Sequence, residues 1–381
     1  MACSVPAVRR EPLIIGAGPA GCAAAITLAR AGCHPVLIER ASGPADKVCG
    51  DFLSADTIGR LRGFGVDPAA LGGSVIGRVR LIHRDRVAEA ALPFPALGLS
   101  RRVLDDALLR QASQAGAKVL AGRTVRHLTR EFGAWSVEAD NTPPMVADAV
   151  FLATGKHDLR DVPRPRSDHD AVGMKMYFIL SPAAARRLGD ATELTLFPGG
   201  YAGLQAAEDG RAVLCVAVRR AAFQGYGGGW TGLLAAIGRT SGRFPEMLAG
   251  AIPLLPRPLA VAGIPYGYQV RSAPDGLFRL GDQAAVIPSL TGDGMAIALH
   301  SGQAAARAWL EGAGAATYHR ALNRTLAPQM GLARGLHSAM MDGLAQGAVV
   351  QAARLFPGLL RQAARHTRLR RVRPCGFRTR Q

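Results

Sequence analysis

Short apolar runs alternate with an alanine-rich segment near the start of the chain. Pro12 to Ile15 is an apolar run with the length of a buried strand, and Cys22 to Ala31 has the composition and length of a helix. A second apolar run, Pro35 to Ile38, comes next and ends at Glu39. This strand–helix–strand order is typical of a parallel βαβ unit, so it predicts an α/β fold for this region.

The same buried-strand pattern returns in two later parts of the chain. Val146 to Ala153 and Leu277 to Leu280 are apolar runs, and Ala296 to Leu310 predicts a long helix after the second of them. The residues between these two runs contain strand-like segments separated by turn residues such as Pro198-Gly199-Gly200. The strands predicted there are Val172 to Leu180, Glu193 to Phe197, Tyr201 to Ala206, Arg211 to Val218 and Ala260 to Val270.

Composition narrows the class of protein. The chain has 381 residues, of which 49% are apolar and 19% are charged, so it can fold around a substantial core. Its six cysteines are scattered without a CxxC pair and its nine histidines are dispersed, which argues against a disulfide scaffold and against a metal site. The sequence has no apolar stretch of the length that a membrane span needs. We therefore expect a cytoplasmic protein without a bound metal.

A glycine-rich loop, Gly16-Ala17-Gly18-Pro19-Ala20-Gly21, joins the first predicted strand to the first predicted helix. Gly16 permits the tight turn, Gly18 lets the backbone approach a pyrophosphate, and Gly21 lets the helix pack closely on the strand. The helix N-terminus offers free N–H groups to phosphates, and Glu39 is placed to bind a ribose diol. The loop predicts a dinucleotide site without distinguishing FAD from NAD(P). The residues of this predicted site are Gly16, Gly18, Pro19, Ala20, Gly21, Glu39 and Arg40.

A second glycine-containing block follows the strand that ends at Leu280. Asp282 stands at the end of that strand, where a carboxylate can hold a hydroxyl of a ribityl chain. The helix after Gly292 and Gly294 can direct its N-terminus at the pyrimidine edge of a flavin, where the helix dipole favours negative charge. The block therefore favours FAD as the dinucleotide. Its predicted cofactor-binding residues are Gly281, Asp282, Pro288, Gly292, Asp293, Gly294 and Met295.

Three blocks of the chain together resemble the FAD-dependent superfamily that includes para-hydroxybenzoate hydroxylase, geranylgeranyl reductases and flavin halogenases. The blocks are Gly16 to Gly21, Arg101 to Asp105 and Gly281 to Gly294, and the resemblance extends over residues 10 to 330. It implies that the first block holds the ADP half of FAD and that the last holds the ribityl and flavin half. It also implies that Arg101 lies near the pyrophosphate or the ribityl chain. An ion pair with Asp105, one helical turn away, is the alternative role for Arg101.

The segment Lys47-Val48-Cys49-Gly50-Asp51 is similar to the KxCG segment of geranylgeranyl-reductase-like members. The resemblance implies that this loop lies beside the flavin, with Lys47, Cys49 and Gly50 near the cofactor and Cys49 as a candidate catalytic residue. The alternative for Cys49 is a small residue packed under the cofactor. The Thr154-Gly155 turn differs from the Asp-Gly that hydroxylases of the para-hydroxybenzoate type carry there, and this difference favours the reductase-like branch.

Candidate substrate contacts come from the predicted strands of the middle region. Tyr201 follows a Gly-Gly turn, whereas Tyr266 and Tyr268 alternate along one predicted strand and so share a face. Aromatic side chains suit a hydrophobic or planar substrate, and Tyr201 is also a candidate catalytic residue. Ordinary packing within a sheet is the alternative for each tyrosine.

The C-terminal part of the chain is strongly basic. Residues 327 to 366 predict two amphipathic helical stretches, and the last 21 residues carry eight arginines and no acid. They belong to a chain with 46 Lys and Arg against 28 Asp and Glu, a net charge of +18. Such an end can lie on the anionic inner face of a membrane or stay a solvated tail. No nucleic-acid-binding motif accompanies the charge, so we expect no specific nucleic acid.

These observations predict an α/β protein in three parts. A Rossmann-type FAD-binding domain is expected from residues 10–170 and 272–325, and an antiparallel-sheet substrate domain from residues 171–271. Residues 326–381 are expected to form C-terminal helices and the basic tail. The predicted function is FAD-dependent oxidation or reduction of a hydrophobic small molecule.

The predicted reaction is the reduction of a carbon–carbon double bond, as in the geranylgeranyl-reductase-like members. An FAD-dependent monooxygenase is the alternative reaction, and a flavin halogenase has less support because the chain has no WxWxIP run. A non-enzymatic, membrane-associated FAD-binding module is the alternative from a different class. Residues 172 to 272 contain no second glycine-rich nucleotide motif, so the electron donor stays open between NAD(P)H, ferredoxin and a separate reductase.

Overall fold

The computed structural model describes residues 10–165 and 171–369, and its first layer is a five-stranded parallel sheet. The strands, numbered along the chain, are β1 (Leu13–Ile15), β2 (Val36–Glu39), β6 (Lys118–Ala121), β10 (Val150–Leu152) and β17 (Leu277–Arg279), in the spatial order β17-β10-β1-β2-β6. β1, β10 and β17 are buried at every position, which explains their continuous apolar runs. This sheet confirms the predicted α/β fold with a Rossmann-type cofactor domain.

The two faces of the parallel sheet are covered differently because successive side chains of β1 point to opposite faces. Ile14 packs in the core formed with helices, whereas Leu13 and Ile15 pack against a small antiparallel sheet. The helices are α1 (Pro19–Arg30), α2 (Ala55–Gly63), α3 (Arg101–Gln114) and α8 (Gly294–Leu310). The small sheet is formed by β7 (Val125–Glu131), β8 (Ala134–Ala139) and β9 (Met145–Ala147).

Helices α1 and α8 approach each other backbone to backbone. A Cβ atom at Gly302 of α8 would lie 2.1 Å from the carbonyl oxygen of Ala20, so any side chain there would clash with the backbone of α1. Gly281, which follows β17, is also close, because its Cβ would lie 3.2 Å from that of Ala20. This contact joins the beginning of the chain to the residues that follow β17.

A nine-stranded sheet forms the second layer, and it is antiparallel except where β4 pairs in parallel with β12. Its strands are β3 (Phe52–Leu53), β4 (Ser74–His83), β5 (Arg86–Gly98), β11 (Ala171–Ile179), β12 (Ala191–Phe197), β13 (Gly200–Ala206), β14 (Ala212–Arg219), β15 (Ile252–Pro253) and β16 (Leu259–Ile264). One face packs against α4 (Pro182–Leu188), α5 (Arg220–Gly225), α6 (Trp230–Thr240) and α7 (Arg243–Leu248). The other face points toward the parallel-sheet layer.

Three helices complete the described structure: α9 (Ala315–Met341), α10 (Gly343–Leu355) and α11 (Gly358–His366). The sequence predicts two helical stretches over residues 327 to 366, but Asp342 and Pro357 divide the segment into three helices. Asp342 accepts a hydrogen bond from the N–H of Leu344 at 3.0 Å and so caps α10. Within the described ranges, no helix is long and apolar enough to cross a membrane.

The nine-stranded sheet takes strands from two separate stretches of chain. β3, β4 and β5 come from residues 52–98, which the predicted division assigns to the cofactor domain. Pro93 and Pro95 argue against a strand in the sequence, but they lie where the pairing of β4 with β5 shifts register, between Ile76 and Arg78. An irregularity of the sheet thus accommodates both prolines.

Two predicted strands were wrong in their extent. β16 ends at Ile264 rather than at Val270, because Pro265 and Gly267, with φ of +85°, interrupt it. The apolar run from Val146 to Ala153 forms two strands, β9 and β10, that belong to different sheets. The arginine-rich end from residue 370 onward lies outside the described residues.

Candidate functional site

A cavity of about 610 Å³, called the chamber below, lies between the two sheet layers and the C-terminal helices. Its floor is formed by the glycine-rich loop, the loop of residues 47–51 and the start of α8. Its roof is the inner face of the nine-stranded sheet, and its far wall is formed by α9, α10 and α11. Most side chains that face it are apolar, which is typical of a small-molecule site.

At two of the three glycines of the glycine-rich loop there is no room for a side chain. Gly16 has φ of +101°, and a Cβ there would lie 2.5 Å from the carbonyl oxygen of Ala153. A Cβ at Gly21 would lie 1.9 Å from the carbonyl oxygen of Gly16. Gly18, in contrast, has ordinary backbone angles, and its Cβ would face Nη2 of Arg101 at 3.4 Å. The helix that follows has no side-chain cap, so its first N–H groups are available to an anion.

Glu39 is held at the end of β2 by backbone donors. Its Oε2 accepts a hydrogen bond from the N–H of Ala17 at 2.8 Å, and its Oε1 accepts one from Ala41 at 3.0 Å. The carboxylate is therefore fixed beside the glycine-rich loop, in the position expected of a ribose acceptor. Arg40, the next residue, is exposed.

Arg101 belongs to a partly buried ion network with Asp105 and Lys47. Its guanidinium donates to both carboxylate oxygens of Asp105, at 2.7 and 2.9 Å, and Nζ of Lys47 donates to Oδ2 at 2.8 Å. Burial alone would raise the pKa of Asp105, but the two cations hold it below its usual value. Arg101 therefore forms the predicted pair with Asp105 and also faces Gly18 of the glycine-rich loop, while its role at the cofactor stays a prediction.

Asp282 also pairs with a lysine at the chamber. Nζ of Lys156 lies 3.1 Å from Oδ2 of Asp282, and both residues line the chamber. Burial would raise the pKa of Asp282, but the charge of Lys156 lowers it below the ordinary value, so the carboxylate is ionised at neutral pH. Sequence reasoning missed Lys156, although it follows the Thr154-Gly155 turn directly.

The block from Pro288 to Met295 divides between the chamber and the interior. Gly292 has φ of +64°, and a Cβ there would lie 2.7 Å from the ring of Phe52. Gly292, Gly294 and Met295 line the chamber, whereas Pro288 and Asp293 do not. The buried Asp293 side chain instead accepts hydrogen bonds from Ser54 at 3.1 Å, from the N–H of Leu369 at 2.9 Å and from Gln329. It ties the start of α8 to other helices.

A buried ion pair fastens the loop of residues 47–51 to the roof. Nζ of Lys175 lies 2.7 Å from Oδ2 of Asp51, and both side chains are fully buried. The hydroxyl of Tyr177 donates to the same oxygen at 2.5 Å, and Lys175 also donates to the carbonyl of Lys47 at 3.1 Å. Cys49 and Gly50, between these anchors, line the chamber. A lysine within the apolar run from Val172 to Leu180 was the one sequence sign of this pair.

Three hydroxyl groups meet inside the chamber. Tyr201 and Tyr266 each share a hydrogen bond with Oγ of Ser289, at 2.7 and 2.8 Å, and all three residues line the chamber. Burial raises the pKa of both tyrosines well above the ordinary value, so both keep their protons at neutral pH. Tyr268 follows the turn that ends β16 and does not line the chamber. The expectation that Tyr266 and Tyr268 share a strand face was therefore wrong, because Pro265 and Gly267 turn the chain between them.

A sulfur atom faces the chamber from each side. Cys49 is on the floor loop and Cys215 is on β14 of the roof. Burial raises the pKa of Cys215 to about 12, so this thiol is protonated at neutral pH. Both cysteines are free.

Comparisons with known proteins agree with this arrangement. Residues 9–142 match the family model of FAD-binding domains. The chain is 28% identical to digeranylgeranylglycerophospholipid reductase 2 of Methanopyrus kandleri over 310 residues, which is 77% of this chain and 75% of that protein. It is 32% identical to menaquinone reductase of Mycolicibacterium smegmatis over 130 residues, which is 32% of this chain and only 31% of the relative's length.

Solved structures show the same fold over almost the whole chain. The flavin-dependent brominase Bmp2 superposes with a TM-score of 0.76 at 16% identity, over 94% of this chain and 93% of that one. pqsL, a probable FAD-dependent monooxygenase from Pseudomonas aeruginosa, superposes with a TM-score of 0.70 at 19% identity, over 90% of this chain and 100% of that one. Both comparisons concern the fold alone.

The buried pair of Asp51 and Lys175 gives a prediction for stability. Lys175→Met leaves an uncompensated carboxyl group in the interior, so we expect the free energy of unfolding to fall by about 3–5 kcal/mol. Adding Asp51→Asn should restore much of that loss, because asparagine tolerates the φ of +56° found at this position. Chemical denaturation of the single and double variants measures the coupling.

The control for this cycle is an exposed ion pair of similar geometry. Nη1 of Arg187 lies 2.5 Å from Oε2 of Glu246, with side chains 47% and 58% exposed. Arg187→Met should cost less than about 1 kcal/mol. The role of the buried pair would be contradicted if Arg187→Met and Lys175→Met lowered the free energy of unfolding equally. It would also be contradicted if the loss in the Lys175→Met/Asp51→Asn double variant equalled the sum of the losses in its two single variants.

Proposed function

We propose that this chain, which belongs to the FAD-dependent oxidoreductases, reduces carbon–carbon double bonds in a long hydrophobic substrate. The observation that carries the proposal is the chamber. It is lined mostly by apolar side chains, lies between the nine-stranded sheet and the C-terminal helices, and is bordered on one side by the cofactor-binding floor. An unsaturated chain lying in it would have its double bonds next to the redox cofactor and away from water.

The floor of the chamber has the features that FAD requires. The backbone at Gly18 carries no side chain where it faces Arg101, and the adjacent helix N-terminus is uncapped, so both can meet a pyrophosphate. We assign the ribose to Glu39 and the ribityl end to Asp282 and Lys156. When bound, FAD supplies the two-electron redox chemistry, and the protein supplies binding, orientation and exclusion of water.

The shape and chemistry of the chamber favour a flexible hydrocarbon chain. Its apolar side chains come from the sheet and from the C-terminal helices, so they surround the cavity on opposite sides. They include Leu81, Leu92, Phe94, Leu194, Leu336, Met340, Val349 and Leu360. Each methylene group that leaves water for such a surface contributes about 0.8 kcal/mol to binding. A long isoprenoid chain would therefore bind through many small contributions rather than through one polar contact.

The relatives point to the same class of substrate. One is named for a digeranylgeranyl lipid and the other for menaquinone, and both of these molecules carry long unsaturated isoprenoid chains. The similarity to the first covers 77% of this chain and 75% of that protein. Within the class of FAD-dependent oxidoreductases, this similarity favours a reductase acting on an isoprenoid chain.

The hydroxyl cluster can provide the proton that a reduction needs. Saturating a double bond requires a proton as well as a hydride, and the donor must hold its proton at neutral pH. Two hydrogen bonds join Tyr201, Ser289 and Tyr266, so they use two of the three hydroxyl hydrogens. One hydroxyl hydrogen is therefore not used within the cluster. We assign the proton donor to Tyr201, which was already a candidate on sequence grounds.

Cofactor retention tests the assigned floor. Gly18→Val should fold normally, since its φ of −74° is allowed to valine, but its side chain should fill the space facing Arg101. We expect purified protein that has lost its flavin absorbance. The matched control is Gly314→Val, because Gly314 precedes α9 with φ of −74° and has open space around it. A normal flavin spectrum in Gly18→Val, or an equal loss in the control, would refute the assignment.

Tyr201→Phe tests the proton donor. We expect the rate of double-bond reduction to fall by about 100-fold or more, with FAD content unchanged, since proton transfer by a positioned group contributes that much. Tyr268→Phe is the control, because Tyr268 carries the same side chain outside the chamber. Full activity in Tyr201→Phe would remove this residue from the reaction.

The reaction is tested by the product. FAD-loaded protein is incubated with dithionite, which replaces the unknown electron donor, and with a lipid that carries geranylgeranyl chains. Mass spectrometry should find products that gain two hydrogen atoms for each double bond lost. Products that gain an oxygen atom under aerobic turnover, with every double bond retained, would assign the chain to the monooxygenases instead.

A further inference from the structure

The corner between α10 and α11 exposes three large apolar side chains. Leu355 is 65% exposed, Phe356 is 64% exposed and Leu359 is 50% exposed, and the three lie within five consecutive residues. Single exposed apolar residues are common on protein surfaces, but a compact group of them is typical of a surface that binds another protein or a membrane.

The charge around this corner has one sign. Arg354, Arg361 and Arg365 are exposed on the same two helices. The sequence contains no aspartate or glutamate after Asp342. α10 and α11 pack against β5, whose Glu89 is already paired with Arg80 at 2.6 Å and with Arg78 at 3.2 Å. The corner therefore combines apolar side chains with positive charge that nearby acids leave uncompensated.

The chamber lies directly behind this corner. α10 and α11 form its far wall with small and apolar side chains, among them Ala352, Leu360 and Ala363. Leu359 belongs to both surfaces, because it lines the chamber and is half exposed. Leu359 therefore provides apolar surface both on the outside of this wall and inside the chamber.

We propose that the α10–α11 corner docks the protein on an anionic lipid bilayer, and that the substrate enters the chamber from the bilayer beside Leu359. Exposed apolar side chains next to exposed arginines are a composition that binds the headgroup region of such a membrane. A second copy of this chain is a poorer occupant, because a two-fold contact would bring Arg354, Arg361 and Arg365 against their own copies. The docking surface stands independently of the reaction, whereas the entry route rests on the proposed function.

The test uses full-length, FAD-loaded protein and flotation with two kinds of vesicle. One is phosphatidylcholine alone, and the other also contains phosphatidylglycerol. Leu355→Ser/Phe356→Ser removes apolar side chains that do not line the chamber. We expect it to weaken binding to the anionic vesicles by about tenfold or more, since each buried apolar side chain contributes strongly to interfacial binding. Leu344→Ser, at a residue 94% exposed near the start of α10, is the control and should bind like the wild type.

A charge variant separates the two components of binding. Arg354→Gln/Arg361→Gln/Arg365→Gln should lower binding to the anionic vesicles by at least about tenfold, and added salt should reduce the difference from the wild type. Wild-type binding by the serine double variant would overturn the proposal. So would binding that is lost only when residues 370–381 are removed, which would assign the contact to the arginine-rich tail. A wild-type dimer that Phe356→Ser dissociates would make the corner an interface between two copies.

Activity distinguishes docking from the proposed reaction. The serine double variant should reduce a detergent-solubilised isoprenoid lipid at the wild-type rate but lose most activity on the same lipid in anionic vesicles. If the wild type binds vesicles and reduces the lipid in neither form, docking stands and the proposed reaction fails. Equal activity of the variant and the wild type on the vesicle-embedded lipid would overturn the entry route.

Discussion

The close contact between α1 and α8 is the constraint on which the rest of the site depends. Because Gly302 has no side chain, α8 comes against the backbone of Ala20, and the N-terminal ends of both helices reach one chamber floor. Two helix N-termini directed at the same cavity favour negative charge in a ligand that binds there. A larger residue at position 302 would separate the two blocks that resemble FAD-binding motifs.

The roof depends on the alternation of side chains in the nine-stranded sheet. Methionines and other apolar residues of β11 point outward to α6 and α7, whereas Lys175 and Tyr177 on the same strand point inward. A lysine there is tolerated because Asp51 neutralises it, and the pair holds the loop that carries Cys49 against the chamber. The charged groups at the chamber are thus fixed by partners, and the rest of its lining is mostly apolar.

The sequence predicts the parts of the structure that local patterns determine. Buried three-residue strands and the glycine-rich turn follow from short-range rules, and the structure has both, with Glu39 beside the turn. The contacts that depend on distant residues were out of reach. Asp293 has the position of a cofactor ligand in its motif, yet Ser54 and Leu369 engage its side chain. Lys156 follows β10 and Ser289 precedes α8, and each meets a distant partner, Asp282 or Tyr266, only where the folded chain brings them to the same chamber. The strand β5 could not be predicted because it contains Pro93 and Pro95. The register shift that accommodates them arises only when β5 pairs with β4.

The most direct test of a double-bond reductase is whether an unsaturated lipid oxidises the reduced protein without oxygen. The FAD-loaded protein is reduced under strictly anaerobic conditions, freed of excess reductant and mixed with a geranylgeranyl lipid. A reductase predicts that the absorbance of oxidised flavin returns anaerobically, in step with lost double bonds, and that a fully saturated lipid has no effect. Absorbance that returns only when air is admitted, with the double bonds intact, would contradict the proposed reaction.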